Sequence, residues 1–392
     1  MFSAEYPADH EHHGEIWWLH VTTDNLRTYS SKRAIQEDFI AWIRTVFEIT
    51  GGTQCLRDMP PQTFHGCEFA YGHDNQDRPT ITISMPGFVH DLLREVGLEH
   101  CNPSRTPMTV NDVVTKLDEP TTPAEQHATV EWVNAKFARD FRSYSEAATW
   151  YAHIYSSIGW ITQKCAPELL FAHSVLGRAL KSPGQKAFAS MKKLLRCIAG
   201  NRHLSRTYYQ SKKWDWRNGE FPQWSIESDA SFASDVHDRK SQGGYTGGFD
   251  NQAVTTASST KGRRVATSTF QAEIAHSCRA AKEALYNRNT LSFLHPGLIT
   301  GPTPMTVDNY ATYLHTAAPI RKFSPNSKQL HTEERMIIDC VENKEIVMRQ
   351  RSGSLPEHPK PNDGLRADSM TKPLSFPPWD FYRRALTGQT ET

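Results

Sequence analysis

Charge of one sign is missing from this chain as a whole: 44 Lys and Arg offset 43 Asp and Glu over 392 residues. Net charge therefore says nothing about a nucleic-acid partner. Cysteine is sparse, with seven residues and no Cys-x-x-Cys pair, which excludes a disulfide-stapled scaffold and a paired zinc knuckle. An odd number of scattered thiols fits a reducing, intracellular compartment, cytoplasmic or nuclear. No apolar run approaches the roughly 20 residues that span a bilayer, so no membrane partner is expected. The polar, His-rich stretch from Met1 to Glu15 is not a secretory signal. Its His10, His12 and His13 offer an adventitious metal site, but a polar chain end is the simpler reading. Internal repeats are absent too. What is present is 38% hydrophobic residues, enough for roughly two or three globular units.

Positive charge is unevenly spread. From Lys181 to Lys213 there are nine Lys or Arg residues and no acid. Such a stretch is either a solvated helix face or a phosphate-binding surface. Within it, Ala187, Met191, Leu194, Leu195 and Ile198 form an apolar stripe, while Lys192, Lys193 and Arg196 fall on the opposite face. An amphipathic helix accounts for the stripe; the three cations are the candidates for nucleic-acid contact. Tyr208 and Tyr209 follow, and a core position is favoured over base stacking.

The patterning divides the chain into residues 1–110, a polar Pro-containing linker at 111–145, a strongly helical region at 146–220, and an alternating β–β–β–α–β–α–α–β–α region at 221–392. In the first, Ile16 to Val21 reads as a buried strand and Thr80 to Ser84 as an alternating one. Ala34 to Phe47 has helical spacing at Ile35, Phe39, Trp42, Ile43 and Val46, as does Met85 to Val96 at Phe88, Leu92, Leu93 and Val96. In the last, Gly243 to Phe249 and Val254 to Ala257 suggest hairpin strands. Ser268 with Gln271 three residues later signals a capped helix start, followed by an apolar stripe at Ile274, Cys278, Ala281 and Leu285.

Four acids in that region sit where a metal-binding carboxylate would. Asp229 ends a strand-like stretch, and Glu273 falls in the first turns of the capped helix. Asp308 closes Met305-Thr306-Val307, and Asp368 lies in Leu365-Arg366-Ala367-Asp368-Ser369-Met370-Thr371-Lys372-Pro373-Leu374. Any one alone reads as a solvated surface group. Their order and flanks make the case.

Those flanks resemble the C-terminal part of a copia-type long-terminal-repeat retrotransposon polyprotein. Phe64-His65-Gly66-Cys67-Glu68, Cys101-Asn102-Pro103-Ser104-Arg105-Thr106-Pro107-Met108, Tyr155 to Trp160, Ala166-Pro167-Glu168 and Leu194 to Gly200 match motifs of its reverse transcriptase end and connection. The most specific set is Ser228-Asp229-Ala230, Asp238 to Ser241 with Gly244-Tyr245, Ser258 to Lys261, Ser268-Thr269 with Ala272-Glu273, Asp308-Asn309, and Ala367-Asp368 with Thr371-Lys372-Pro373-Leu374.

The resemblance implies an α/β fold: a ribonuclease H-like mixed five-stranded sheet with flanking helices, preceded by a helical connection region and a truncated α+β reverse transcriptase palm/thumb remnant. It implies that the chain opens just before the palm's last strand, without fingers, integrase or protease. The family's Tyr-Val-Asp-Asp stands here as His20-Val21-Thr22-Thr23-Asp24. Two carboxylates have become threonines, or one survives if the register slips by one residue. A hydroxyl does not replace a carboxylate on a hard cation, so polymerase activity is not expected.

By the same resemblance, Asp229, Glu273, Asp308 and Asp368 hold two Mg²⁺ ions, with Mn²⁺ as a substitute. Two ions roughly 3.5–4 Å apart activate water and neutralise the leaving oxygen. His358 is the candidate for assisting product release, and His331 for supporting the fold. An RNA–DNA hybrid is the expected substrate, and Arg239, Lys240, Lys261, Arg263 and Arg264 are candidate phosphate contacts. A full-length retroelement polymerase is a further possible partner. The rival reading is an inactive retroelement remnant that binds nucleic acid through the 181–213 region. An integrase-like transposase fits less well, because the Ala367-Asp368 context is that of ribonuclease H.

Overall fold

The computed structural model describes residues 2–5, 9–12, 15–22, 25–30, 32–48, 55–58, 61–209, 220–250, 252–294, 296–317, 328–351 and 364–389. Three sheets organise it. The first is antiparallel, with β1 (Phe2–Glu5), β2 (Ile16–Thr22) and β3 (Asn25–Ser30), followed by helix α1 (Arg33–Val46). Helix α1 buries Ile35, Phe39 and Ile43, one residue per turn, and the Phe39 ring lies 4.7 Å from that of Trp17. Trp42 and Val46, expected on that stripe, are instead 57% and 53% exposed. A narrow i, i+4, i+8 seam suffices where a helix covers so small a sheet. The Thr23-Asp24 part of the altered polymerase motif lies outside the described residues.

The second sheet runs β4 (Gln62–Phe64), β5 (Cys67–His73), β6 (Pro79–Ser84) and β7 (Ser205–Tyr209), all antiparallel. Between β6 and β7 come α2 (Pro86–Glu95), α3 (Pro123–Phe137), α4 (Tyr144–Lys164), α5 (Leu170–Leu176) and α6 (Gln185–Gly200). One apolar core joins this sheet to all five helices, from Cys67 through Ile154, Ile158 and Leu194 to Leu204. The expected stripe of α6 is buried throughout: Ala187, Met191, Leu194, Leu195 and Ile198. On α2, Val89 takes the core position expected of Phe88, which is exposed.

The stretch 111–145, expected to be a linker, carries α3, which buries Val130, Val133 and Phe137. Its start is a capping box with Pro123 in the first turn: Thr122 accepts from Glu125 N, and the Glu125 carboxylate accepts from Thr122 N at 3.0 Å. Proline at a helix start costs nothing, because that N–H has no intrahelical partner. The polar, Pro-containing composition that suggested a linker is here that of a helix start. The region 146–220 likewise contains strand β7, so residues 205–209 complete a sheet begun before residue 110. Within β7 the Tyr208 hydroxyl donates to the Val254 carbonyl at 3.0 Å.

The third sheet has the order β10 (Val254–Lys261), β9 (Gln242–Phe249), β8 (Trp224–Ser231), β11 (Thr303–Val307), β12 (Ile346–Gln350). The first three strands are antiparallel; β8, β11 and β12 are parallel. Helix α7 (Thr269–Leu294) connects β10 to β11, and α8 (Tyr310–Ala317) and α9 (Lys328–Glu342) connect β11 to β12. Every residue of β11 is buried, as a central parallel strand requires. Ile226, Met305 and Val307 pack with Cys278, Ala281 and Ile337 from the helices. A 3₁₀ turn at Arg366–Met370 and helix α10 (Pro378–Thr387) complete the unit. This is the expected five-stranded mixed sheet with flanking helices, consistent with a ribonuclease H-like fold. Among the described residues no helix is long and apolar enough to cross a membrane.

Candidate metal centre

The chain leaves β8 in one direction to build β9 and β10, and returns on its other side as β11 and β12. The strand order thus reverses at β8, and the carboxyl ends of β8 and β11 lie at that switch point, where ligands collect in open α/β sheets. Val307 pairs with Ser228 in parallel register, so the residues that follow, Asp308 and Asp229, emerge side by side. Glu273 reaches the same place from the start of α7. Ser268 Oγ accepts from Gln271 N at 3.1 Å. The Gln271 side chain, expected to return to Ser268, accepts instead from Thr267 N and Oγ1 at 2.6 and 2.8 Å.

Asp368 is delivered by the 3₁₀ turn, and two features of the sheet let that turn close in. A Cβ on Gly244, which pairs with Asp229 across the ladder, would sit 2.2 Å from Met370 Cβ and 2.7 Å from the Ser258 carbonyl. Its neighbour Gly243 leaves room on the other face for the ring of His276. Glu227, two residues before Asp229 and on the same face, then anchors the turn. It accepts from Arg366 N at 2.6 Å and faces Arg351 and Arg366 side chains at 3.4 and 3.5 Å.

The outcome is a tight cluster. One carboxylate oxygen each from Asp229, Asp308 and Asp368 lie within 4.8 Å of one another. Glu273 stands outside that triplet but is only 3% exposed. Burial, then the charges of Asp229 and Asp308, push its carboxyl up to about 9. Burial and Asp229 also push Asp368 up to about 7, with Lys372 opposing. Asp308 is raised by burial and Asp229 as well. Protein donors meet part of the cluster: Thr371 Oγ1 donates to Asp229 Oδ2, Tyr382 OH lies 3.5 Å from Asp368 Oδ2, and Lys372 Nζ lies 3.0 Å from that oxygen. Asp308 Oδ1, Asp368 Oδ1 and Glu273 Oε2 are buried with no hydrogen-bond partner among the described residues.

Unpaired buried carboxylate oxygens are costly. A hard divalent cation, which prefers clustered oxygens and keeps some water, would satisfy them. The donor set thus fits a hard divalent cation. The sequence pattern named all four acids but assigned no role to Glu227, Thr371, Lys372 or Tyr382. Only strand alternation from Asp229 could have flagged Glu227.

The other candidates fall elsewhere. His358 lies outside the described residues, and His331 sits in the first turn of α9. Lys192 Nζ donates to the Lys136 carbonyl and lies over the Phe137 ring. Lys193 pairs with Asp112 at 2.5 Å, and Arg196 Nε donates to the Asn102 carbonyl at 2.6 Å. The face expected to offer free cations to phosphate is thus engaged with neighbouring loops and α3. Lys261 meets Asp235 and Asp238 at 2.5 and 2.9 Å, and Lys240 meets Asp238 at 3.3 Å. Arg239, Arg263 and Arg264 are exposed. His12 at the N-terminal end lies 3.5 Å from Asp38 and 3.9 Å from Glu11.

No protein-family profile matches the chain, and no curated protein sequence matches it. Solved structures similar to the chain include two ribonuclease H proteins. One is the crystal structure of RNase H1 from the halophilic archaeon Halobacterium salinarum NRC-1, at 8% identity and TM-score 0.25, covering 33% of this chain and 86% of that one. The other is the N-terminal RNase H domain of a Mycobacterium tuberculosis protein, fused to maltose-binding protein, at 11% identity and TM-score 0.26, covering 43% of this chain and 99% of that one. At these scores the functional reading rests on the sheet and its acids.

Proposed function

We propose that this chain is a ribonuclease H that hydrolyses the RNA strand of RNA–DNA hybrids with two divalent ions, Mg²⁺ or Mn²⁺, and that it descends from a copia-type retroelement with the polymerase site lost. The observation that carries the reading is the convergence of Asp229, Asp308 and Asp368 to within 4.8 Å at the carboxyl ends of parallel strands, beside the buried Glu273.

Two ions in such a cage supply an activated water and charge neutralisation on the leaving 3′ oxygen. The residues do the rest. Asp229, Glu273 and Asp308 would hold one ion, and Asp229 and Asp368 the other. Thr371 orients Asp229 by its hydrogen bond, and the Glu227–Arg366 contact holds the Asp368 turn against β8. The hybrid is read by backbone shape and 2′-hydroxyls, without base specificity. Exposed Arg239 and Arg263 are the favoured phosphate contacts, ahead of Lys240 and Lys261, whose ammonium groups are paired, and Arg264 remains a candidate. His358 keeps the product-release role that the resemblance assigns it. Residues 1–110 are a polymerase remnant with a structural or binding role, and a full-length polymerase is a candidate partner.

Cleavage of labelled RNA within a hybrid, followed with and without Mg²⁺ or Mn²⁺, tests this directly. The expected result is divalent-dependent cutting that Asp229→Asn abolishes. Intact RNA under all conditions, with binding that weakens steeply as salt rises, would instead identify a binder without chemistry.

A further inference from the structure

The acid cluster is satisfied on one side and open on the other. Lys372 and Thr371 supply donors to Asp368 Oδ2 and Asp229 Oδ2. Asp368 Oδ1, Asp308 Oδ1 and Glu273 Oε2 are buried and have none among the described residues. The two oxygens of Asp368 thus face different circumstances: one already meets a cation, and the other waits for one.

We propose that Lys372 is a built-in counter-cation: its ammonium fills one of the two cation positions in the metal-free protein, so that divalent ions load in two unequal steps. This rests on the metal-site reading above. The first ion would enter at the unpartnered oxygens of Glu273 and Asp308 without disturbing Lys372. The second must displace the ammonium from Asp368, because an ammonium and a divalent cation repel strongly at hydrogen-bond range. The displacement is feasible because the Lys372 side chain is 46% exposed, so its head can swing to water while its stem stays packed. Once displaced, the ammonium stays tethered beside the cluster, where a substrate phosphate is the available anion.

Titration calorimetry of the full chain with Mn²⁺ alone, without nucleic acid, reads this without requiring activity. Wild type should show a tight and a weak step. Lys372→Gln should tighten the weak step on the order of tenfold and leave the tight step unchanged. Lys372→Arg should keep the weak step, and Glu273→Gln should weaken the tight one, with thermal melts confirming that each variant is folded. Identical second-step affinities in wild type and Lys372→Gln, alongside weakened binding in Asp229→Asn, would overturn the lysine proposal alone. Unchanged Mn²⁺ binding in Asp229→Asn would overturn the metal-site reading, and the lysine proposal with it.

Discussion

Glu273→Gln is expected to stabilise the metal-free protein at alkaline pH, against the usual penalty for altering a buried residue. In the folded chain the Glu273 carboxyl is pushed up to about 9, from 4.5, by burial and by the charges of Asp229 and Asp308. The folded state therefore holds a proton that the unfolded state has already released at neutral pH. Stability from this group is full below pH 4.5 and is lost as pH rises towards about 9. At about 1.36 kcal/mol per pH unit, the interval from 4.5 to pH 8 converts to a ceiling of about 5 kcal/mol. Relaxation and water entry reduce such penalties, so roughly 2 kcal/mol is the working figure. Glutamine keeps the shape, retains an acceptor for the Ala230 backbone N–H, and carries no charge to desolvate. Melting of metal-free wild type and variant between pH 5 and 8.5 should show curves that coincide at acid pH and separate with rising pH. The variant should melt roughly 4–8 °C higher at the alkaline end. Saturating Mg²⁺ should close the gap by stabilising wild type more. A variant that melts lower at pH 8, or a wild-type melting point that ignores pH, would falsify the account of four mutually repelling acids.

Gly244→Ala should cost about 1–3 kcal/mol by overpacking and weaken Mn²⁺ binding, since its Cβ would push against Met370 and the Ser258 carbonyl; calorimetry and melting read both, and wild-type values would argue that the Asp368 turn is free to shift. Arg178→Ala should destabilise by about 2–4 kcal/mol, because Asp235 is only 1% exposed and its 3.1 Å partner is lost, leaving Lys261; an unchanged denaturant midpoint would contradict this. Thr122→Ala should remove the α3 cap and cost about 1 kcal/mol, measured by urea unfolding. A neutral result there would mean that Pro123 and Glu125 start the helix unaided.

Where local pattern and tertiary packing agreed, the structure followed the sequence reading. The α6 stripe recurs every three to four residues and is buried in full, because a long helix against a large core needs a wide apolar face. Helix α1, of similar length, covers only a three-stranded sheet and does not need one, and Trp42 stayed outside. Residues 111–145 were misread for a different reason. Polar caps and proline look like loop composition, yet Thr122, Pro123 and Glu125 together specify a helix start. On the basic face of α6, side-chain charge was legible but its destination was not, since the Asp112 and Asn102 partners of Lys193 and Arg196 lie 81 and 94 residues away in the chain.

The order of residues alone placed Asp229 on a strand-like stretch and Glu273 early in a capped helix, because these are matters of local periodicity and spacing; the four acids as one metal set and the five-stranded sheet to carry them were what the family resemblance implied. Neither could specify which oxygens would be left without donors. That depended on Gly244 admitting the Asp368 turn, on Glu227 holding Arg366, and on Lys372 landing 3.0 Å from one oxygen of Asp368 while the other went unmet. Electrostatics inside a protein follows distance and burial, and both are set only when segments remote in sequence are packed together.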